Sequence, residues 1–272
     1  MGIPNPDLKS LVFNLWKRYH LYGMKNDSKK IKEAFSRLEM IIEASDSTIS
    51  IIKAIMGSES EDDIFSNRSR LFLIKNVFED NNENREASEK IRKYMFKNGS
   101  QYILDHNEGL LKRLTFHFIK PKERKMFEFT KDLDEAIDIY WGGHQKTDYS
   151  GISCLEGTGR QGFHTDFNKF SDINNNLKPL SMSMLAEISL SDNNYFYCLE
   201  PNEENTGSTV RRIFLPFGSV LFFSGNYIHA GQEYEGENCR AHRYIESFNM
   251  IHGLQVSQDF KSYVGQTTVL NE

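Results

Sequence analysis

Three residues from two distant parts of the sequence constrain what this chain can fold into. They are His164, Asp166 and a second histidine, His229, which lies 63 residues beyond the aspartate. In a β-strand, residues i and i+2 point to the same side, so His164 and Asp166 present an imidazole and a carboxylate together. An apolar, strand-like segment at residues 215–223 precedes His229. The pattern predicts a fold in which distant strands place two imidazoles and one carboxylate on one face of a metal ion.

The rest of the chain supplies suitable strands. The first 110 residues predict helices, with apolar residues at three- and four-residue spacing, over about 28–44, 48–56 and 86–102. From about residue 111 the pattern changes to short β-favouring segments separated by polar connectors, at 114–119, 181–190, 195–199, 210–215, 219–223 and 240–250.

This order predicts a mainly β fold with N-terminal helices, built on a double-stranded β-helix (jelly-roll) core buttressed by helices. We expect residues 1–110 to form a helical N-terminal region packed on the catalytic core, and residues 111–272 to form that core. A chain of 272 residues is long enough for both parts to share one integrated domain.

A fixed cation follows the second histidine. Arg240 lies eleven residues past His229, on a predicted strand, and a cation beside an open metal site is what a dicarboxylate co-substrate needs. The order His-x-Asp, distal His, then Arg resembles the 2-oxoglutarate- and Fe(II)-dependent oxygenases over residues 150–250. The apolar strand before His229 and the His-Ala-Gly segment that starts there are similar to that family as well. The motifs indicate no particular member.

The resemblance implies roles for these residues. His164, Asp166 and His229 would bind Fe(II), and Arg240 would bind 2-oxoglutarate. The co-substrate and O2 would be converted to succinate and CO2 while a substrate is hydroxylated or otherwise oxidised, with ascorbate as a supporting reductant. Halogenation is disfavoured, because related halogenases carry a small residue where Asp166 stands.

The co-substrate contacts leave alternatives open. Arg240 and Arg243 lie on opposite faces of a regular strand, so at most one of them points to the site. The spacing from His229 favours Arg240. The family's Arg-x-Ser form is absent because position 242 is His, so the second contact stays open between His242, Tyr244 and Ser183.

Charge and composition argue against several classes of protein. The formal net charge is −5, and the basic clusters at 120–125 and 211–212 are short, so we interpret them as solvated faces and expect no nucleic-acid partner. The sequence contains no run of 18 consecutive apolar residues, so it predicts no membrane-spanning helix. Three cysteines without a C-x-x-C pair, and an N-terminus without a signal pattern, predict a cytoplasmic protein.

The substrate is the least constrained part of the prediction. A small molecule such as an amino acid or a natural-product intermediate is the first choice, and a protein or peptide is the second. Two other classes stay open: a zinc hydrolase, because the same ligand types suit zinc, and a non-catalytic jelly-roll protein that binds metal or ligand. Arg160 and Gln161, just before the first histidine, either line the pocket mouth or lie in a surface loop.

Overall fold

A computed structural model of the chain shows a fold dominated by two β-sheets. It describes residue 36 and residues 39–58, 71–101, 113–141, 144–159, 161–164, 184–201, 208–225, 227–231, 233–234, 236–247 and 269–271. Besides a helical segment at 39–43, the helices are α1 (Asp46–Ser58), α2 (Asn82–Asn98), α3 (Pro121–Arg124), a 3-10 segment (Lys125–Thr130) and α4 (Lys131–Trp141). The strands are β1 (Leu71–Ile74), β2 (Ser100–Gln101), β3 (Arg113–His117), β4 (His144–Lys146), β5 (Ser150–Cys154), β6 (Met184–Ser189), β7 (Asn194–Pro201), β8 (Ser208–Leu215), β9 (Val220–Ser224), β10 (His229–Gly231), β11 (Asn238–Ser247) and β12 (Val269–Asn271).

The strands of the described part of the chain divide between two sheets. The larger has eight strands in the order β1-β9-β6-β11-β5-β3-β2, with β4 paired to β11. The smaller has four in the order β10-β7-β8-β12. All of the pairs for which a register is known are antiparallel except β12 with β8, which is parallel. Several connections, such as the one from β8 to β9, therefore pass from one sheet to the other.

A buried apolar cluster joins the inner faces of the two sheets. Phe196 and Cys198 of β7 pack in it with Leu221 and Phe223 of β9, which belongs to the other sheet. The turn that carries the chain between the sheets needs Gly218, whose φ of 75° is in the left-handed region that favours glycine. Every residue of β9 is buried, which is why its first four residues, 220–223, are all apolar rather than alternating.

Contacts divide the chain into two compact units, residues 1–60 with 130–144 and residues 61–129 with 145–272. In the first unit, the Ser45 hydroxyl caps α1 by accepting from the Thr48 amide at 3.0 Å. The Thr48 hydroxyl then donates to Glu135 of α4 at 2.8 Å. In the second unit, Asn81 caps α2 by accepting from the Asn84 amide at 2.9 Å. Both sheets belong to this second unit except for His144, the first residue of β4.

Most of the predicted elements are present, with differences that have physical causes. The predicted helices at 48–56 and 86–102 correspond to α1 and α2, and the six predicted strands correspond to β3, β6, β7, β8, β9 and β11. Strand β1 lies in the region predicted as helical, since a four-residue apolar run does not distinguish helix from strand. Helix α4 lies in the region predicted as β, although its buried residues follow helical spacing. The packing of an N-terminal helical region on the core stays a prediction.

Candidate metal and co-substrate site

His164 and His229 face each other directly in an antiparallel β-bridge. The His164 amide donates to the His229 carbonyl at 2.8 Å, and the His229 amide donates back at 2.9 Å. Residues that exchange both hydrogen bonds in an antiparallel pair project their side chains to the same face. The two imidazoles accordingly lie side by side, with their ring centroids 4.5 Å apart. The structure thus brings together the two predicted nitrogen ligands.

Both imidazoles are oriented in the same way. Nδ1 of His164 lies 2.9 Å from the Gly162 carbonyl, and Nδ1 of His229 lies 2.9 Å from the Tyr227 carbonyl. A carbonyl oxygen only accepts, so each Nδ1 carries the proton and each Nε2 keeps its lone pair. A hydrogen bond from Nδ1 to a backbone carbonyl is typical of histidines that bind metal through Nε2. The donor set fits Fe(II), and it fits zinc, copper or nickel as well.

The second histidine is held by aromatic rings. His229 is buried, stacked on Phe196 at 5.1 Å between ring centroids and edge-on to Phe223 at 4.9 Å. Burial is the main cause that lowers the pKa of His229 to about 4; the hydrogen bond to the Tyr227 carbonyl opposes this effect, and the nearby positive charge of Arg240 supports it. The imidazole is therefore neutral at pH 7, which is the form that binds a metal.

Arg240 is a buried cation on the inner face of β11. Its side chain is almost fully enclosed, with Nη1 donating to Tyr234 Oη at 3.0 Å and Nε lying 3.5 Å from Glu187 Oε2. Burial raises the pKa of Tyr234 to about 12, although the Arg240 charge opposes this, so the phenol keeps its proton. The guanidinium is thus fixed between a carboxylate and a hydroxyl.

Gly231 provides the link between the histidines and this arginine. It lies two residues past His229, and its amide donates to Gln161 Oε1 at 2.9 Å. A Cβ at position 231 would lie 2.4 Å from that oxygen and 2.8 Å from Arg240 Nη2. A side chain at position 231 would therefore have to displace the ends of Gln161 and Arg240, and the close approach places Arg240 directly next to the strand that carries the second histidine.

Three polar residues extend this face across the larger sheet. His242 pairs in register with Glu187 on one side and with Ser150 on the other, and Ser150 pairs with His117. The Ser150 hydroxyl and His117 Nδ1 are 2.6 Å apart. Loss of surrounding water is the main cause that lowers the pKa of His242 to about 3, and the positive charge of Arg240 adds to that effect. His242 is therefore a neutral imidazole on the same face as Arg240.

Arg243 lies on the opposite face of β11. Its Nε and Nη2 donate to the Thr147 carbonyl at 3.1 and 2.5 Å, and its guanidinium lies 4.5 Å from the centre of the Tyr149 ring. Arg240 and Arg243 therefore lie on opposite faces of β11, as their separation by three residues predicted. Tyr244 is partly buried and packs against the cluster between the sheets.

Two predicted site residues, Asp166 and Ser183, lie outside the described residues. Within the part of the chain that the structure describes, no three His, Cys, Asp or Glu side chains converge as a metal site. The described part of the proposed metal site is the histidine pair, two of its three proposed ligands.

Sequence reasoning missed two contributors to the arginine environment and left a third undecided. Tyr234 and Glu187 were not predicted, because no motif marks them; an acidic residue on an otherwise apolar strand was the available signal for Glu187. Gln161 is buried and bonded to Gly231 rather than in a surface loop. Arg160, its neighbour, lies outside the described residues.

Comparison with solved structures identifies the class of fold. A prolyl hydroxylase from Trichoplax adhaerens, in complex with a hypoxia-inducible-factor peptide, matches with a TM-score of 0.53 at 11% identity, over 75% of this chain and 94% of that one. The non-heme alpha-ketoglutarate-dependent epimerase SnoN of nogalamycin biosynthesis matches with a TM-score of 0.51 at 9% identity, over 72% and 84%. A SnoN complex with Fe3+, alpha-ketoglutarate and nogalamycin RO gives 0.51 at 8% identity, over 73% and 84%.

The chain has the fold of the 2-oxoglutarate/Fe(II)-dependent oxygenases, so the resemblance drawn from the motifs is confirmed at the level of the fold. No protein-family model matches the sequence. No curated protein matches it either. Among the described residues, no helix has both the length and the apolar character needed to cross a membrane.

Proposed function

We propose that this protein is a non-haem Fe(II)- and 2-oxoglutarate-dependent oxygenase whose two sheets close into a double-stranded β-helix. His164, Asp166 and His229 are its proposed metal ligands. The observation that supports the proposal most is the direct pairing of His164 with His229, both with Nε2 available to a metal, next to a buried arginine. An ordinary structural histidine pair would not need a buried cation held beside it.

Arg240 is the proposed partner of the distal carboxylate of 2-oxoglutarate. Glu187 on the Nε side and Tyr234 on the Nη1 side hold the plane of the guanidinium, which is the geometry that a bidentate carboxylate contact requires. Because Tyr234 accepts from Arg240, its own O–H can donate to the same carboxylate. His242 and Ser183 are proposed as further contacts. Arg243 is less suited, since it donates to the Thr147 carbonyl.

Bound Fe(II) and 2-oxoglutarate would supply the oxidation, with O2 consumed, succinate and CO2 released, and ascorbate as a supporting reductant. The chain's own residues bind and orient. The aromatic rings around His229 exclude water from one side of the site, and the neutral imidazoles of His229 and His242 add no positive charge to it.

The proposed primary substrate is a small molecule such as an amino acid or a natural-product intermediate, and hydroxylation is the proposed outcome. A protein or peptide substrate is the alternative. A cytoplasmic location stays a prediction.

Anaerobic titration of Fe(II)-loaded protein with 2-oxoglutarate tests the proposal. We expect the weak visible charge-transfer band of a chelated keto acid in the wild type and in Arg243→Ala, and its loss in His229→Ala. Succinate formation on admission of O2 then separates an enzyme from a non-catalytic binding protein. A folded, iron-replete wild type without the band would contradict the proposal, and hydrolytic activity that needs neither O2 nor 2-oxoglutarate would indicate a zinc enzyme.

A further inference from the structure

Two adjacent arginines of β8, Arg211 and Arg212, face opposite sides of the smaller sheet. Arg211 pairs in register with Cys198, whereas Arg212 pairs with Tyr197. Cys198 is fully buried in the cluster between the two sheets, and Tyr197 belongs to a separate cluster. Since directly paired residues project to the same face, Arg211 lies on the inner face and Arg212 on the outer face.

The outer arginine has a structural explanation. The Arg212 guanidinium lies 3.8 Å from the centre of the Tyr195 ring, a cation–π contact on the outer face of β7. The sequence pair Arg211-Arg212, interpreted above as one solvated basic cluster, thus consists of two residues in different environments. Only Arg212 fits that interpretation.

The inner arginine lies level with the two histidines. Cys198 pairs with Arg211 on one side and with His229 on the other, and His229 pairs with His164. These four residues form one row across neighbouring strands. Because neighbouring strands are about 4.8 Å apart, the Cα atoms of Arg211 and His229 are about 10 Å apart. The half-buried Arg211 side chain therefore projects between the two sheets from the same row as the two histidines.

Arg211 is distinct from the co-substrate arginine. The next row of the smaller sheet consists of Gly231, Phe196 and Ile213, and Gly231 is the residue that adjoins Arg240. Arg240 beside Gly231 and Arg211 beside the histidines are thus two inward-facing cations of the described residues, and they lie at two different levels. A single dicarboxylate bound to Arg240 accounts for only the first.

We propose that Arg211 binds an oxyanion group of the primary substrate, a carboxylate or a phosphate, so that the substrate is an anionic small molecule. This inference rests on the proposed function and names its substrate class. A half-buried guanidinium binds an oxyanion through two parallel hydrogen bonds, and the contact is stronger there than in bulk water. Tyr227 and Tyr244, partly buried against the inner cluster, supply aromatic surface for the rest of the substrate.

Calorimetric titration of anaerobic protein loaded with Fe(II) and 2-oxoglutarate tests the inference. The probes are N-acetyl amino acids, their uncharged primary amides, and O-phosphorylated amino-acid amides. We expect acids or phosphates to bind the wild type, and the uncharged amides to bind at least roughly tenfold more weakly. Arg211→Gln should lose about ten- to a hundredfold in affinity for the anionic probe, whereas Arg212→Gln should match the wild type. Whether the N-acetyl amino acids or the phosphorylated amides bind shows whether the anionic group is a carboxylate or a phosphate.

Several results would overturn the inference: no anionic probe binding the wild type, equal binding of acids and amides, unchanged affinity in Arg211→Gln, or an equal loss in Arg212→Gln. Arg211→Lys covers the case in which the glutamine variant does not fold. It should bind several-fold more weakly yet keep the preference for the charged probe, because lysine keeps the charge without the bidentate geometry.

The two proposals fail separately. The charge-transfer titration with 2-oxoglutarate should give the same affinity in Arg211→Gln as in the wild type. If the wild type does not bind 2-oxoglutarate, the proposed function fails, and the anionic probes can still be titrated against the protein without it.

Discussion

His164 and His229 exchange both of their backbone hydrogen bonds, and this pairing fixes two imidazole rings 4.5 Å apart on one face. The spacing of the rings is therefore set by strand register rather than by a loop. A slip of one residue would turn one imidazole to the other face and separate the pair.

The two arginines of β11 give a matched pair of variants. Arg240→Ala should abolish detectable binding of 2-oxoglutarate, because the buried cation of the proposed site is lost. Arg243→Ala should retain most of it and should lower the free energy of unfolding by about 1–2 kcal/mol, through loss of its bonds to the Thr147 carbonyl. Titration by charge-transfer absorbance and urea unfolding measure the two effects. The reverse pattern would mean that Arg243 binds the co-substrate.

The Tyr234 hydroxyl is expected to contribute to co-substrate affinity. Tyr234→Phe removes a hydrogen-bond partner of Arg240 and should raise the dissociation constant of 2-oxoglutarate about 5- to 30-fold. Tyr195→Phe, on the outer face of β7, is the control and should leave the constant unchanged. An unaltered constant in Tyr234→Phe would exclude the phenol from the site.

A methyl group added at Gly231 is expected to disturb the proposed co-substrate site. In Gly231→Ala the new methyl group would displace Gln161 and Arg240, so we expect 2-oxoglutarate binding to weaken at least roughly tenfold in a folded protein. Gly236→Ala is the matched control, since the nearest atom to a Cβ there is 3.8 Å away. Circular dichroism checks folding, and the titration checks binding. Equal affinities in the two variants would contradict the expected displacement.

Glu187 is expected to matter most when 2-oxoglutarate is absent. Glu187→Gln removes a buried negative charge beside Arg240 and should destabilise the protein by about 3 kcal/mol. The co-substrate brings a carboxylate to the same cation, so it should raise the melting temperature more in this variant than in the wild type. Thermal unfolding with and without 2-oxoglutarate measures this difference. An identical rise in both proteins would show that the two carboxylates act independently.

Tyr234 also gives a pH dependence. Its pKa is about 12 in the folded protein and about 10 in the unfolded chain, so above pH 10 the unfolded state loses a proton that the folded state keeps. The stability from this group is complete below pH 10 and is lost as the pH rises towards 12, at roughly 1.4 kcal/mol per pH unit. Urea unfolding between pH 8 and 11 should show a shallower alkaline loss in Tyr234→Phe. Parallel curves would indicate that the phenol is not desolvated.

The faces on which the polar residues of β11 lie could be predicted from the sequence, because the alternation of side chains along a strand is a local property. The opposite placement of Arg240 and Arg243 followed from their separation by three residues, and the inner position of His242 followed from its separation by two. Strand β1 was missed because a short apolar run carries no period that identifies it. Helix α4 was missed because its periodic residues lie within a region dominated by strand-like segments.

The partners of Arg240 could not be predicted in the same way. Glu187 and Tyr234 come from different segments, and only the register of β6 with β11 and the path after β10 place them beside the guanidinium. The inward position of Arg211 depends likewise on its pairing with Cys198, which no local pattern reports. Long-range register is the information that a single sequence lacks.

The rings of Phe196 and Phe223 around His229 have a consequence for which metal the proposed site would accept. An imidazole held on two sides cannot rotate to suit an ion, so selection should depend on whether the ion's preferred bond directions match a fixed nitrogen. The apolar rings also lower the local dielectric, which disfavours accumulation of positive charge and stabilises the lower oxidation state of a redox-active ion. Smaller residues at these two positions would therefore yield a more promiscuous and more easily oxidised centre.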